Sequence, residues 1–552
     1  MQNMKRNLLT LLLAALGAAA SGQTVNADLL VYNARIYTAD EKFTVVSAMA
    51  IKDGKVLTLG DSKDLAARVK ARAKLDARGA AIYPGLIDAH AHFVNYGFSL
   101  QRVNVVDTKS WEEVLQRVQA FARKNGVAKG AWIQGRGWDQ NDWAVKEFPD
   151  RKRLDELFPD NPVILTRVDG HAAIVNSAAL KAAGINGPRS LTGGTVEIRN
   201  GQPTGILVDN AVDLVNEVVP GPTRSAARQA LLAAQKNCFA MGLTTVDDCG
   251  LDHEAVEFID SLQKNGELKM RVYAMLSDAP KNFEWAFRRG HYKTDALNVR
   301  SFKVYADGAL GSRGAALLHP YSDKPGWSGF LLSNPAHFDS VAALLYANKW
   351  QMCTHAIGDS GNRTILHIYG KYLKGKNDLR WRIEHAQVVA PEDFALFGKY
   401  SVVPSVQPTH ATSDMYWAGD RLGPERVKGA YAYRQLLEQN GWIPLGTDFP
   451  VEDISPFKTF YAAVARRDAK GYPAGGYQME NALTRRQALW GMTLWAARAN
   501  FEEREKGSLE PGKWADFVIL DRDLLTVEEK KILATRVLAT YVGGSAVFTR
   551  QR

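Results

Sequence analysis

Short apolar runs that end in a polar or ionisable residue recur through the middle of this chain. They are Leu243-Thr244-Thr245-Val246-Asp247-Asp248, Met270-Arg271-Val272-Tyr273-Ala274-Met275, Phe302-Lys303-Val304-Tyr305, Trp350-Gln351-Met352-Cys353-Thr354-His355, Trp381-Arg382-Ile383-Glu384-His385, Val402-Val403-Pro404-Ser405-Val406 and Ile443-Pro444-Leu445-Gly446-Thr447-Asp448. An earlier run, Ala81 to Ile87, reads as a buried strand and brings the number to eight. Helix-like stretches alternate with them, the pattern of a parallel α/β architecture. The expected fold is a (β/α)8 TIM-type barrel over residues 81–504, in which chemistry sits at the C-terminal ends of the strands.

The pattern changes at both ends. From Ala27 to Leu75 short strands alternate with turn residues, and Lys52-Asp53-Gly54-Lys55 between two apolar runs is a hairpin signal. Asp516 to Asp521 and Val537 to Val542 look alike. Neither end has enough strands to close a core, so residues 23–80 and 505–552 are expected to pair into one small β-sandwich. After the first barrel strand comes an insertion, about 103–222. It holds an amphipathic helix at Trp111–Val118 and strand-like runs at Ala131–Gly135 and Pro162–Thr166. Its place in the chain puts it over the barrel mouth as a lid or wall.

Composition narrows the function classes. The 552 residues are 46% hydrophobic and 23% charged, ordinary for a globular enzyme. The net charge of +10 comes from scattered Lys and Arg, without a basic run or an aromatic platform, which argues against nucleic acid. Lys5 and Arg6 precede the apolar stretch Leu8–Ala20 and a small-residue zone, so residues 1–22 read as a signal peptide. An exported protein is expected, periplasmic or secreted, with no stable membrane anchor after cleavage. Cys238, Cys249 and Cys353 are too few for a disulfide framework and are expected to be buried thiols.

The opening strand runs into Asp88-Ala89-His90-Ala91-His92. Residues two apart on a strand share a face, so both imidazoles can approach one point. Two water-facing histidines on an amphipathic strand would read the same way, so the decision falls to residues downstream. His355 ends the fifth run, His385 the sixth and Asp448 the eighth, where an Asp can also cap a helix. Four neutral imidazoles and a carboxylate suit zinc or a similar divalent ion. Five such residues at strand ends that converge in one barrel are hard to assign to packing.

Taken with Lys303 in mid-barrel, this set resembles the amidohydrolase superfamily. Within it the chain is similar to the family 3 branch, the YtcJ-like proteins that include N-substituted formamide deformylases. The resemblance rests on Phe302 to Ser312, Arg167-Val168-Asp169-Gly170-His171, Gly446 to Glu452 and Gly507 to Asp516. It implies that His90, His92 and Asp448 hold one metal ion, that His355 and His385 hold a second, and that Lys303, carboxylated by carbon dioxide, bridges them. Such a lysine must first lose its proton, which burial beside cations favours. The alternative is a Lys303 paired with Asp307 or Asp247, and one ion held by part of the set.

The reaction so implied is metal-dependent hydrolysis of a non-peptide C–N bond in an amide, formamide or cyclic amide, with Asp448 as general base. Lactone or ester hydrolysis, deamination, or a non-catalytic regulatory relative are the alternatives. The expected partner is a small-molecule substrate, and a homodimer is left open. His171, Arg313 and His410 are candidate substrate contacts: His171 could equally make a structural hydrogen bond, and Arg313 could bind a carboxylate bidentately or brace its loop. Trp138, Trp143, Trp327 and Trp417 hint at an apolar or aromatic substrate.

Overall fold

Gly85 separates two strands that the hydrophobic pattern runs together. The computed structural model describes residues 24–551, so the signal-peptide reading of residues 1–22 lies outside the described residues. Ala81–Pro84 belongs to a terminal sheet and Leu86–Ala91 opens the barrel. A Cβ on Gly85 would meet Thr244 Oγ1 at 2.3 Å, so only glycine lets the chain step from one sheet to the other at this point. The expectation of one strand over Ala81–Ile87 is corrected accordingly.

Seven parallel strands form the barrel wall in the spatial order Val403–Ser405, Arg382–His385, Gln351–Ala356, Leu297–Tyr305, Arg271–Ser277, Leu243–Leu251 and Leu86–Ala91. The eighth run, Ile443–Asp448, is not a regular strand. It still bridges the gap, with Gly446 N–H donating to Val406 O (3.1 Å) on one side and Asp448 N–H to His90 O (2.8 Å) on the other. Pro444 has no N–H to give a ladder. At Gly446 a Cβ would come within 2.5 Å of His90 N, so this segment closes the barrel by close backbone approach.

Strand alternation sorts the side chains. Phe302, Met352 and Ile383 point outward into the large apolar core shared with the surrounding helices. Each such side chain contributes about 1.5–3 kcal/mol by leaving water. Cys249, Tyr273, Met275 and Cys353 fill a layer inside the barrel, and all three cysteines are buried and unpaired. Beneath the mouth, Arg382 Nη1 donates to Asp247 Oδ2 (3.0 Å) and Asn500 Nδ2 to Asp247 Oδ1 (2.6 Å).

The two chain ends share their strands. One sheet runs Lys55–Gly60, Ala48–Lys52, Val25–Tyr32, Val69–Asp76. The other sets Ala81–Pro84 between Arg35–Tyr37 and the C-terminal Phe517–Leu520, with Ile82 opposite Ile519. Val31, Met49, Ile82 and Phe517 pack in one cluster between them. The Asp53-Gly54 hairpin has φ of 51° and 76° at its two central residues, as a type I′ turn requires. A six-stranded sheet spans Val103–Asp209, with the helix Trp111–Lys124 capped by Ser110, whose hydroxyl accepts from Glu113 N–H. Among the described residues no helix is long and apolar enough to cross a membrane.

Candidate metal centre

The first barrel strand delivers His90 from its last turn, and His92 follows at the start of the next helix, Phe93–Ser99. The His90 Nδ1 lies 2.6 Å from Glu384 Oε2, and the His92 Nδ1 lies 3.0 Å from the Cys249 carbonyl. His385 Nδ1 lies 2.7 Å from Gln407 Oε1. In each case the oxygen accepts a hydrogen bond from Nδ1–H and leaves the Nε2 lone pair pointing inward, which is how ligating histidines are set. His90 Nε2 and His92 Nε2 lie 3.6 and 3.2 Å from the same atom, Asp448 Oδ1.

Alternation along Arg382-Ile383-Glu384 would send His385 to the outer face. Its φ of 71° turns it back into the mouth, followed by Ala386 at 43°, and Asp448 sits at 63°. Non-glycine residues held in this region cost about 1–3 kcal/mol each and cluster at functional sites. Asp448 is held in place through its neighbour: Thr447 N–H and hydroxyl donate to Asp88, at 2.9 and 2.7 Å. Asp88 is therefore a brace for the closing segment.

Lys303 is fully buried, with Nζ 3.3 Å from His90 Nε2. Pairing with Asp247 or Asp307 is not what holds it. Arg382 and Asn500 occupy Asp247, and backbone N–H groups of Ala316, Ile357 and Gly358 occupy Asp307. Burial pulls the Lys303 pKa down, but Cys249, Tyr305, Glu384 and Asp448 outweigh it and hold the value above the ordinary one. The surrounding side chains thus do not supply the lowering expected from the sequence. Burial, with Lys303 adding to it, pushes His90 down to about 4, against the pull of Glu384 and Asp448. His355 and His385 are held well below the usual range, chiefly by burial. For Asp448, burial works upward, but His90, His92 and His385 bring it well below the ordinary carboxylate value.

His90, His355 and His385 are therefore neutral near pH 7, with the Asp448 carboxylate ionised. His355 Nε2, His410 Nε2 and Asp448 Oδ1 are buried without a hydrogen-bond partner. Two groups of donors draw within 4.8 Å of one another: His90, His92 and Asp448, and His385, His410 and Asp448. Neutral imidazoles, an ionised carboxylate and unsatisfied buried atoms fit a divalent ion.

His92, Lys303, His355, His385, His410 and Asp448 floor a cavity of about 1080 Å³, walled by barrel ends and by Arg136, Arg167, Asp169 and His171 of the insertion. His171 faces His355 with ring centroids 5.0 Å apart and places Nδ1 2.6 Å from Asp209 Oδ1. Burial lowers its pKa, but the bond to Asp209 more than offsets this and brings it up to about 8. Arg313 is not brought to the site: it clamps Asp323 (3.2 and 2.9 Å) outside the cavity lining. Of the four tryptophans only Trp417 lines the cavity. Trp138 and Trp143 pack the insertion core, and Trp327 donates to Arg313 O. Glu384, Gln407 and Asp209 were not singled out from the sequence. For Glu384 the available signal was alternation, which places it on the same inward face as Arg382.

Comparison with known proteins decides the family. The sequence profile described as Amidohydrolase family matches residues 74–548. The chain belongs to the amidohydrolase family. This amidohydrolase is 34% identical to the Arabidopsis thaliana Protein LONG AFTER FAR-RED 3 over 95% of its own length and 92% of the relative's. It is 24% identical to an N-substituted formamide deformylase of Arthrobacter pascens, over 95% and 98%. A crystal structure of an uncharacterized metal-dependent hydrolase from Pyrococcus horikoshii OT3 matches with a TM-score of 0.73 at 28% identity, covering 91% of this chain and 99% of that one.

Proposed function

We propose that this amidohydrolase cleaves a carbon–nitrogen bond outside the peptide class, in an amide, N-substituted formamide or cyclic amide, giving an acid and an amine. The observation that carries the reading is Asp448. Its Oδ1 stands between His90 and His92, its Oδ2 lies 3.6 Å from His410, and Asp448, His92 and His410 face one cavity. The likeness to a formamide deformylase over nearly the whole chain supports the choice of bond.

His90, His92, His355, His385 and Asp448 would hold one or two divalent ions of the zinc class, with a carboxylated Lys303 as a further oxygen ligand. When bound, such an ion polarises the substrate carbonyl and makes water acidic enough to react near neutral pH. The rest is done by the chain. Asp448, kept ionised by its histidine neighbours, accepts a proton from the attacking water. The water oxygen bonds to the carbonyl carbon, the C–N bond breaks, and Asp448 returns the proton to the leaving nitrogen. The Nδ1 acceptors Glu384, Cys249 O and Gln407 keep the imidazoles from turning. His171, with Arg136 and Arg167 of the insertion, lines the cavity wall.

A panel of N-formyl and N-acyl amines, assayed with and without chelator, tests the proposal. Release of amine that chelation abolishes is expected, and hydrolysis that survives full metal removal would overturn it. Elemental analysis and the mass of the peptide carrying Lys303 test the ion and the carboxylation. Export rests on the basic, apolar and small-residue succession in residues 1–22, and cell fractionation tests it.

A further inference from the structure

We infer that His410 is a ligand of the second divalent ion, held together with His385 and Asp448. The inference rests on the metal-dependent reading above and adds to it a residue from the loop after the seventh strand.

His410 lies in the short helix Pro408–Asp414 and is 8% exposed. Its Nε2 is buried, has no hydrogen-bond partner, and sits 3.6 Å from Asp448 Oδ2. That separation is too long for a hydrogen bond. It matches the spacing of two donors on one tetrahedral ion, roughly 3.3–3.6 Å for bonds near 2.0–2.2 Å. The first donor group shows the same spacing, 3.2 and 3.6 Å from His92 and His90 to Asp448 Oδ1. The two oxygens of Asp448 are thus divided, one toward each group.

One turn of chain orients the His385 imidazole and anchors the His410 backbone. Gln407 Oε1 accepts from His385 Nδ1 (2.7 Å), and Gln407 O accepts from His410 N–H (3.1 Å) and from the Tyr433 hydroxyl (2.8 Å). The rings of His385 and His410 lie side by side, with centroids 5.7 Å apart and planes at 22°. Pro408, with its fixed φ, stiffens the turn between them. His355, the residue expected here from the sequence, joins neither three-donor group. Its Nε2 lies 3.8 Å from Asp307 Oδ1, and its ring faces His171 of the insertion. Its ring also faces His385, with centroids 4.6 Å apart.

The test is a cobalt(II) titration of the full mature chain, followed by visible absorption and by metal content after gel filtration. His410→Gln is expected to take up one equivalent fewer than the unaltered protein, with its thermal midpoint in chelator unchanged. His410→Cys is expected to take up the full complement and to show a new sulfur-to-cobalt charge-transfer band, which only a direct ligand produces. The band decides the matter even where the glutamine variant fails to fold. Its absence from a folded, cobalt-loaded His410→Cys protein would overturn the inference while leaving the metal reading intact. An unaltered protein that takes up no cobalt would overturn both.

Discussion

Glu384→Gln is the most informative single change in the floor of the site. The carboxylate is fully buried, with Oε2 2.6 Å from His90 Nδ1 and Oε1 unpartnered, 3.9 Å from the Arg382 guanidinium. Burial would raise its pKa, but His90, Arg382 and Lys303 hold it below the ordinary value, so it is charged. Glutamine keeps the shape and one acceptor while removing the charge. A hydrogen bond to a charged group contributes about 1.5–3 kcal/mol, a neutral one about 0.5–1.5. The expected loss is therefore about 1–2 kcal/mol in holding His90, or roughly 5- to 30-fold in metal affinity. Competition against a chelator of known affinity measures it, and thermal unfolding in excess chelator separates it from a loss of fold. Glu384→Leu would leave the His90 Nδ1–H buried without an acceptor, at a cost of about 1–3 kcal/mol, so it is expected to lower the thermal midpoint in chelator as well. Affinity in the glutamine variant within about twofold of the original would refute the reasoning.

Asp448→Asn should lose at least about 100-fold in rate, the usual contribution of a general base, while keeping much of its metal through the remaining carbonyl oxygen. Equal activity would remove Asp448 from that role. Gly446→Ala should lower the thermal midpoint by several degrees and weaken metal binding, because its Cβ would sit 2.5 Å from His90 N and 2.8 Å from His90 Cβ. An unchanged midpoint would show that the closing segment can move aside. Asp523 accepts from the Tyr37 and Tyr83 hydroxyls, each at 2.7 Å. Burial raises its pKa, and these bonds outweigh burial and lower it below 3.8. A depressed carboxylate stabilises the fold above its unfolded pKa and loses that contribution as pH falls through the folded value. The gap in thermal midpoint between the original and Asp523→Asn should thus be constant from neutral pH to about 5 and shrink below about 4. A gap that did not change with pH would refute it.

The donor residues were legible because each sits at the end of an apolar run, and strand ends are where a barrel gathers its chemistry. The terminal hairpin was legible for a local reason, since Asp53-Gly54 can take two consecutive positive φ values. What escaped was set by contacts distant in sequence. The break at Gly85 comes from the side chain of Thr244, and the irregular closing segment comes from the backbone of His90 against Gly446. Arg313 could equally bind a carboxylate or brace its loop, and the clamp on Asp323, ten residues on, makes it the brace. His410 offered its residue type and its place just after the seventh run, while its relation to Asp448 depends on how two loops on neighbouring strands are aimed.

The pairing of Ala81–Pro84 with Phe517–Leu520 has a consequence for biosynthesis. Ile82 leaves the ribosome long before Ile519, its partner across the sheet. At roughly 5–20 residues per second, the early edge waits about 20–90 seconds for its mate. Throughout that interval an apolar, unpaired edge is open to other nascent chains. A ribosome that stops short of the last fifty or so codons would release a barrel whose neighbouring sheet can never be completed.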